Sequence, residues 1–179
     1  DLFLTRWING FSGRSAALDE VGVFVGAVGL LAVLAGAVGW YVVMQWRRGN
    51  RRAAMVLIGT VVLAYGASQC IGLVAFRARP FVTHPDIRRL IAKSVDSKSF
   101  PSDHATIAFA LIAPVLFGRA SRRWKWLAVA AASAIAIGRV FLGVHYVSDV
   151  LAGALLALVI GAIVHRMTRR YSMDATTTA

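Results

Sequence analysis

Three short polar patches interrupt a strongly apolar chain, and they contain residue types that handle phosphate groups. They span residues 79–81, 100–104 and 138–149, and they contribute two arginines, two serines, two histidines and two carboxylates. Arginine binds phosphate oxygens in a bidentate manner, and a neutral imidazole can act as a nucleophile or as a proton donor. This set is typical of phosphoryl transfer that needs neither a metal nor a cofactor.

The spacing of these residues suggests separate roles. His145 and Asp149 are four residues apart, so on a helix they would share a face and the carboxylate would fix the tautomer of a nucleophilic imidazole. His104 can protonate the departing oxygen. Ser102 directly precedes an apolar helical run, which predicts a helix start whose free N–H groups bind an anion. Binding of the substrate phosphate is therefore predicted for Arg79, Ser102, Asp103 and Arg139.

Two other interpretations use the same residues. Imidazoles and carboxylates could instead hold a hydrolytic metal, with ligands from His104, His145, Asp103 and Asp149, although their spacing is not diagnostic. Charged residues inside apolar runs also occur along the ion paths of channels and transporters. The chain shows no inverted repeat, which weighs against a transporter.

The composition indicates a membrane protein. Of the 179 residues, 58% are hydrophobic and only 16% are charged, which is far from the balance of a soluble domain. The formal charge of +12 comes from basic residues between apolar runs, so nucleic acid is not expected as a partner. No Pro-rich or Ser/Gly-rich linker divides the chain, which predicts one membrane-embedded domain over residues 1–179.

The predicted fold class is all-α, a polytopic bundle of transmembrane helices. Five spans are expected, at residues 21–45, 53–76, 105–118, 126–144 and 146–164. Residues 1–15 are amphipathic and are expected to lie at the interface or to form a sixth helix. The third span would reach only about 21 Å as a helix, less than the roughly 30 Å hydrocarbon core. His104, at its start, should therefore lie below the membrane surface.

The basic residues predict the orientation of the bundle. Three clusters hold 11 of the 20 basic residues, and only one of the eight acidic residues, Asp174, lies on the same side. The first cluster is Arg47, Arg48, Arg51 and Arg52, the second is Arg119, Arg122, Arg123 and Lys125, and the third is Arg166, Arg169 and Arg170. Cytoplasmic loops carry such an excess of positive charge. The clusters and the C-terminus are thus expected in the cytoplasm, and the three polar patches on the extracytoplasmic side.

The patches resemble the three signature motifs of the type 2 phosphatidic acid phosphatase superfamily, KxxxxxxRP, PSGH and SRxxxxxHxxxD. The likeness runs from Gly72 to Asp149 in matching order and spacing. It implies a six-helix core, a phosphohistidine at His145 with Asp149 as its partner, and His104 as the acid for the leaving group. It also implies phosphate binding, by Arg79, Ser102 and Arg139.

The chain departs from these motifs at three positions. Gly72 stands in place of the lysine, Asp103 in place of the glycine of PSGH, and Gly138 in place of the serine before Arg139. Only the first departure removes a phosphate ligand. The candidates to replace that cation are Arg77, Lys93 and Lys98, and for Lys93 a solvated side chain is favoured.

A finer resemblance concerns the residues around the motifs. SFPSDH at 99–104, RPFV at 79–82 and GVHY at 143–146 are similar to bacitracin-resistance type undecaprenyl-diphosphate phosphatases. This implies release of phosphate from undecaprenyl diphosphate at the outer leaflet of a bacterial plasma membrane, which regenerates the carrier lipid for peptidoglycan synthesis. Phosphatidylglycerol phosphate, phosphatidate or a polyprenyl phosphosugar are the alternative substrates.

Overall fold

The computed structural model describes residues 1–177, and within that range every regular element is a helix. The elements are α1 (Leu2–Asn9), α2 (Ala16–Gly26), α3 (Gly29–Arg47), α4 (Arg52–Val74), α5 (Pro80–Thr83), α6 (Asp103–Leu111), α7 (Ala113–Leu116), α8 (Arg122–Phe141) and α9 (Val147–Thr177). Four stretches are long and apolar enough to cross a bilayer, Ala16–Arg47, Arg52–Val74, Arg122–Phe141 and Val147–Arg169. The predicted all-α transmembrane fold is confirmed.

The third predicted span is a short helix enclosed by the others. Its apolar stretch, Asp103–Leu116, is divided into α6 and α7 near Ile112, because Pro114 lacks the N–H that would continue the hydrogen-bond ladder. The alanines of α6, such as Ala105 and Ala108, are fully buried against α4, α8 and α9. The helix that begins with Asp103 and His104 therefore starts among the other helices.

The first predicted span is not one continuous helix, and this corrects the prediction. α2 ends at Gly26 and α3 begins at Gly29, because the chain turns where α2 meets α8. A Cβ atom on Gly26 would lie 2.6 Å from the backbone of Gly138, so the two helices approach backbone to backbone. The break leaves the carbonyl of Gly26 free to accept a hydrogen bond from Arg139 Nη1 at 2.8 Å.

The amphipathic start of the chain forms α1, which has eight residues and is too short to cross a bilayer. Its exposed side chains include Phe3 and Trp7, as expected for a helix at the membrane interface. Asn9 is buried at its end and donates hydrogen bonds to the carbonyls of Arg88 and Phe141 at 2.9 and 2.8 Å. α1 is therefore held against the end of α8.

The two ends of the bundle differ in chemistry. α4 and α8 end where α6 and α9 begin, so the three polar patches meet at one end. At the other end, basic side chains line a cavity of about 590 Å³ between the loops, among them Arg48, Arg52, Arg119, His165 and Arg169. The orientation in the membrane stays a prediction. Residues 178–179 and the side chains of Arg170 and Asp174 lie outside the part that the structure describes.

Candidate active site

His145 lies on the loop between α8 and α9, where Gly143 forms the turn with a φ of 73°. The imidazole is only 4% exposed, and its Nδ1 lies 2.8 Å from the carbonyl oxygen of Ser99. Because a carbonyl can only accept, Nδ1 carries the hydrogen and Nε2 keeps its lone pair. Arg79 Nη1 lies 3.2 Å from Nε2. The atom that is predicted to be the nucleophile thus lies beside a guanidinium that can bind phosphate.

Burial also affects the charge of His145. It lowers the pKa of the ring to about 4, although Asp149 acts in the opposite direction. The unperturbed pKa of histidine is about 6.5. The ring is therefore neutral near pH 7, which is the state that a nucleophile requires.

Asp149 lies near His145, but the two residues do not share a helical face as their spacing predicted. His145 precedes α9, and Asp149 Oδ2 lies 3.7 Å from Nδ1, beyond hydrogen-bond length. The carboxylate instead accepts from the N–H of Tyr146 at 2.8 Å, from Ser99 Oγ at 2.5 Å and from Arg77 Nη1 at 2.9 Å. Asp149 therefore acts on His145 as a nearby charge, while the carbonyl of Ser99 fixes the tautomer.

Ser99 contacts two of the predicted site residues, and the sequence reasoning did not assign it a role. It is fully buried, and its N–H donates to the carbonyl of Arg77 at 2.8 Å. Its carbonyl holds the ring of His145, and its hydroxyl holds Asp149. The only sequence signal for it was its place in the SFPSDH segment.

Of the predicted phosphate ligands, Arg79 contacts this ring. Arg79 is nearly buried and is held by Ser97 Oγ at 2.8 Å and by the carbonyl of Val144 at 2.7 Å. Ser102 is the N-cap of α6, but its hydroxyl makes no capping bond. In the described part of the chain, four buried polar side-chain atoms have no hydrogen-bond partner, and two of them are Ser102 Oγ and Arg139 Nε. Both are suited to an oxyanion.

His104 and Asp103 occupy the start of α6. The half-buried ring of His104 lies in the first turn of that helix. The carboxylate of Asp103 accepts from Lys98 Nζ at 2.7 Å and from Ser68 Oγ and Gln69 Nε2 at 2.9 Å each. Its charge is therefore compensated, and its N–H at the start of the helix is the group that can bind an anion.

The three candidates for the missing cation differ in their contacts. Arg77 binds Asp149 and also Asp1 at 2.8 Å, and its guanidinium lies 3.6 Å from the centroid of the Tyr146 ring. Arg77 therefore supports a carboxylate. Burial and the charge of Arg79 lower the pKa of Lys93. Lys98 is paired with Asp103 and lies against Gly72.

The metal alternative finds no support in the geometry. Among the described residues, no group of three His, Cys, Asp or Glu side chains is arranged to hold a metal ion. Of the proposed ligands, Asp103 and Asp149 have their carboxylates engaged by hydrogen-bond donors. The imidazole Nδ1 of His145 is engaged by a carbonyl.

Together these features define a membrane-embedded phosphatase: a buried neutral histidine, two arginines and a helix start, set at one end of a bundle of apolar helices. The chain matches the PAP2 superfamily over residues 53–172, and it belongs to that superfamily. It is accordingly a lipid phosphatase.

Named relatives cover most of the chain. The undecaprenyl-diphosphatase BcrC of Bacillus subtilis is 32% identical, over 90% of this chain and 80% of its own length. The decaprenylphosphoryl-5-phosphoribose phosphatase of Mycobacterium tuberculosis is 35% identical, over 84% of both chains. Among solved structures, a PAP2-type phosphatidylglycerolphosphate phosphatase of Bacillus subtilis is 26% identical, with a TM-score of 0.65 over 93% of this chain and 83% of its own.

Proposed function

We propose that the protein hydrolyses the terminal phosphate of undecaprenyl diphosphate, giving undecaprenyl phosphate and inorganic phosphate through a phosphohistidine at His145. The observation that carries this proposal is the arrangement around Nε2, which keeps its lone pair because Nδ1 carries the hydrogen and which accepts a hydrogen bond from Arg79 Nη1 at 3.2 Å. The unpartnered Ser102 Oγ and Arg139 Nε supply further donors to an oxyanion.

In the first step, Nε2 attacks the terminal phosphorus, and the bond from phosphorus to the bridging oxygen breaks. His104 donates a proton to that oxygen, so undecaprenyl phosphate leaves. Arg79 and Arg139 bind the transferred phosphoryl group and stabilise its charge as the bond breaks. In the second step, His104 takes a proton from water, which attacks the phosphohistidine and releases inorganic phosphate. Asp149 stabilises the positive charge that His145 carries in between.

Two observations bear on the substrate, and the first favours a polyprenyl lipid over a glycerolipid. Both named relatives above 30% identity carry a polyprenyl lipid in their names, although one of those names includes a phosphosugar. The three side chains nearest the reaction, His145, Arg79 and Arg139, are all almost fully buried. Such an enclosed site suits a headgroup that is little more than phosphate.

The proposed setting is the bacterial plasma membrane, with the whole chain as one domain and the site on the extracytoplasmic side. The support for this orientation is the separation of charge along the chain. The basic clusters lie at the end opposite to His145, and cytoplasmic loops carry such clusters. A diphosphate in the outer leaflet could then reach the site from the membrane.

The test is a comparison of substrates with purified protein in detergent and without added metal. Phosphate release should show a higher kcat/KM for a polyprenyl diphosphate than for phosphatidate, phosphatidylglycerol phosphate or a polyprenyl phosphosugar at equal surface concentration. His145→Ala should abolish release, whereas His165→Ala, at the other end of the bundle, should retain it. A clear preference for a glycerolipid would overturn the substrate, and an active, folded His145→Ala protein would overturn the mechanism.

A further inference from the structure

The side chain of Lys98 occupies the space that a side chain at position 72 would need. A Cβ atom on Gly72 would lie 2.1 Å from Cδ of Lys98, 2.8 Å from Cε and 3.2 Å from Nζ. Gly72 is also the position at which the first signature motif has its lysine. The end of the Lys98 side chain therefore lies where a side chain at position 72 would begin, and the two cannot be present together in this arrangement.

Asp103 holds Lys98 in this space. Lys98 Nζ lies 2.7 Å from Asp103 Oδ1, and the side chain of Lys98 is only 16% exposed. Its other contacts are long, at 3.4 Å to Ser68 Oγ and to the carbonyls of Ser68 and Pro101. An ammonium has three donors, and bonds of 3.4 Å are weak. Only one donor is thus firmly engaged, and the others can turn to a stronger acceptor such as a phosphate oxygen.

Two of the three departures from the motifs therefore belong together. The glycine at position 72 leaves space for the side chain of Lys98. The carboxylate of Asp103, which replaces the glycine of the second motif, holds the ammonium of Lys98 in that space. The pair also lies next to the predicted phosphate site, because Asp103 directly follows Ser102 in the chain. Pro101, whose carbonyl contacts Nζ, directly precedes Ser102.

We propose that Lys98 is a substrate-binding residue that supplies the cation missing at position 72, and that Asp103 is its positioning residue. The ligand is the anionic phosphate headgroup of the substrate, and inorganic phosphate, the product, shares its chemistry. This inference rests on the proposed function for the identity of the lipid. The contrasting possibility is an ion pair that only ties the loop before α6 to α4.

A pair of glycine variants on α4 separates these possibilities. Gly72→Ala pushes the end of Lys98 out of its place, at little cost in stability because the displaced atoms belong to a flexible side chain. Gly66→Ala adds the same methyl group to the same helix, where nothing lies within 4 Å, and is the matched control. Gly72→Ala and Lys98→Gln should each raise KM for the diphosphate lipid about tenfold, with a smaller change in kcat, and their double variant should be no worse than Lys98→Gln.

A reconstruction of the motif gives a second test. Lys98→Ala with Asp103→Gly should raise KM, and the further change Gly72→Lys should restore it, because the lysine now stands at the motif position with its space cleared. Wild-type KM in Lys98→Gln, or no gain from Gly72→Lys, would overturn the proposal and leave only a structural ion pair.

Binding of inorganic phosphate is measured separately, as the rise in thermal unfolding temperature that phosphate produces. This rise should be present in wild type and Gly66→Ala and smaller in Lys98→Gln. If wild type is stabilised by phosphate but hydrolyses no lipid, the proposed function fails while the role of Lys98 stands. If Lys98→Gln is stabilised as much as wild type, the role of Lys98 fails.

Discussion

Removing the hydroxyl of Ser99 should weaken catalysis without weakening substrate binding. Ser99→Ala leaves the carbonyl that holds His145 Nδ1 but deletes the 2.5 Å hydrogen bond to Asp149. A buried hydrogen bond to a charged group contributes about 1.5–3 kcal/mol. Asp149 keeps Arg77 and the N–H of Tyr146, so the fold should survive with its free energy of unfolding lowered by about that amount.

The catalytic effect follows from the same bond. In the proposed mechanism Asp149 stabilises the positive charge that develops on His145, and a carboxylate that has lost one of its three donors is less well oriented for this. Since about 1.4 kcal/mol corresponds to a factor of ten in rate, kcat should fall about tenfold to a hundredfold. KM should stay near the wild-type value, because the hydroxyl faces Asp149 and not the predicted phosphate ligands.

The assay measures initial rates of phosphate release over a range of lipid surface concentrations, together with thermal unfolding in the same detergent. Ser133→Ala, at a half-buried serine on α8, is the matched control and should keep both kcat and stability. A Ser99→Ala protein with wild-type kcat would refute the reasoning that Asp149 depends on this hydroxyl. A rise in KM with unchanged kcat would also refute it, because that result would mean that Ser99 acts on the substrate.

Three further predictions concern packing, charge and orientation. Gly138→Ser restores the residue of the family motif but should lower the free energy of unfolding by about 1–3 kcal/mol, because its Cβ would lie 2.6 Å from the backbone of α2. Gly39→Ser is the control and should leave stability unchanged, because nothing lies within 4 Å of a Cβ at that position. The pKa of His145 is about 4 in the folded state and about 6.5 in the unfolded state, so the unfolded state binds more protons below pH 6.5. The free energy of unfolding of the wild type should therefore fall by about 2 kcal/mol between pH 7.5 and pH 5. Thermal unfolding should show a smaller fall for His145→Asn. In a cysteine-free background, an impermeant thiol reagent applied to intact cells should label Asp96→Cys and miss Arg122→Cys.

The outcomes that contradict these predictions are distinct. Unchanged unfolding of Gly138→Ser would mean that α2 and α8 can separate at no cost. An equal loss of stability in wild type and His145→Asn would assign the pH dependence to other groups. Labelling of Arg122→Cys alone would invert the topology and exclude chemistry at the outer leaflet.

The long apolar runs and the motif spacing were enough to predict the fold class and the end of the bundle where the polar patches meet. Runs of more than 20 apolar residues have few alternatives to a transmembrane helix, because every backbone polar group must be satisfied within the bilayer. The break after Gly26 could not be predicted in this way, since its cause is the approach of Gly138 from a helix more than a hundred residues away. Such a tertiary contact leaves no periodic signal in the run itself.

The geometry around the predicted site residues differs from what their spacing suggested. The four-residue spacing of His145 and Asp149 suggested a shared helical face, but the helix begins at Val147, and the ring is held by Ser99 from another loop. A backbone carbonyl has no signature in the sequence, so this hydrogen bond could not be anticipated. The relation between Gly72 and Lys98 was equally hidden, because it depends on how the loop before α6 returns to α4.

The close approach of Gly26 and Gly138 also constrains how this sequence can evolve. A side chain at either position would meet the backbone of the other, so neither glycine can change first while α2 and α8 stay this close. Relatives that keep the motif serine at the second position must therefore hold the two helices further apart. In them the carbonyl that here binds Arg139 would be out of reach, and a different acceptor should accompany the serine. Covariation between the two positions, and between them and that acceptor, is the expected trace in a family alignment.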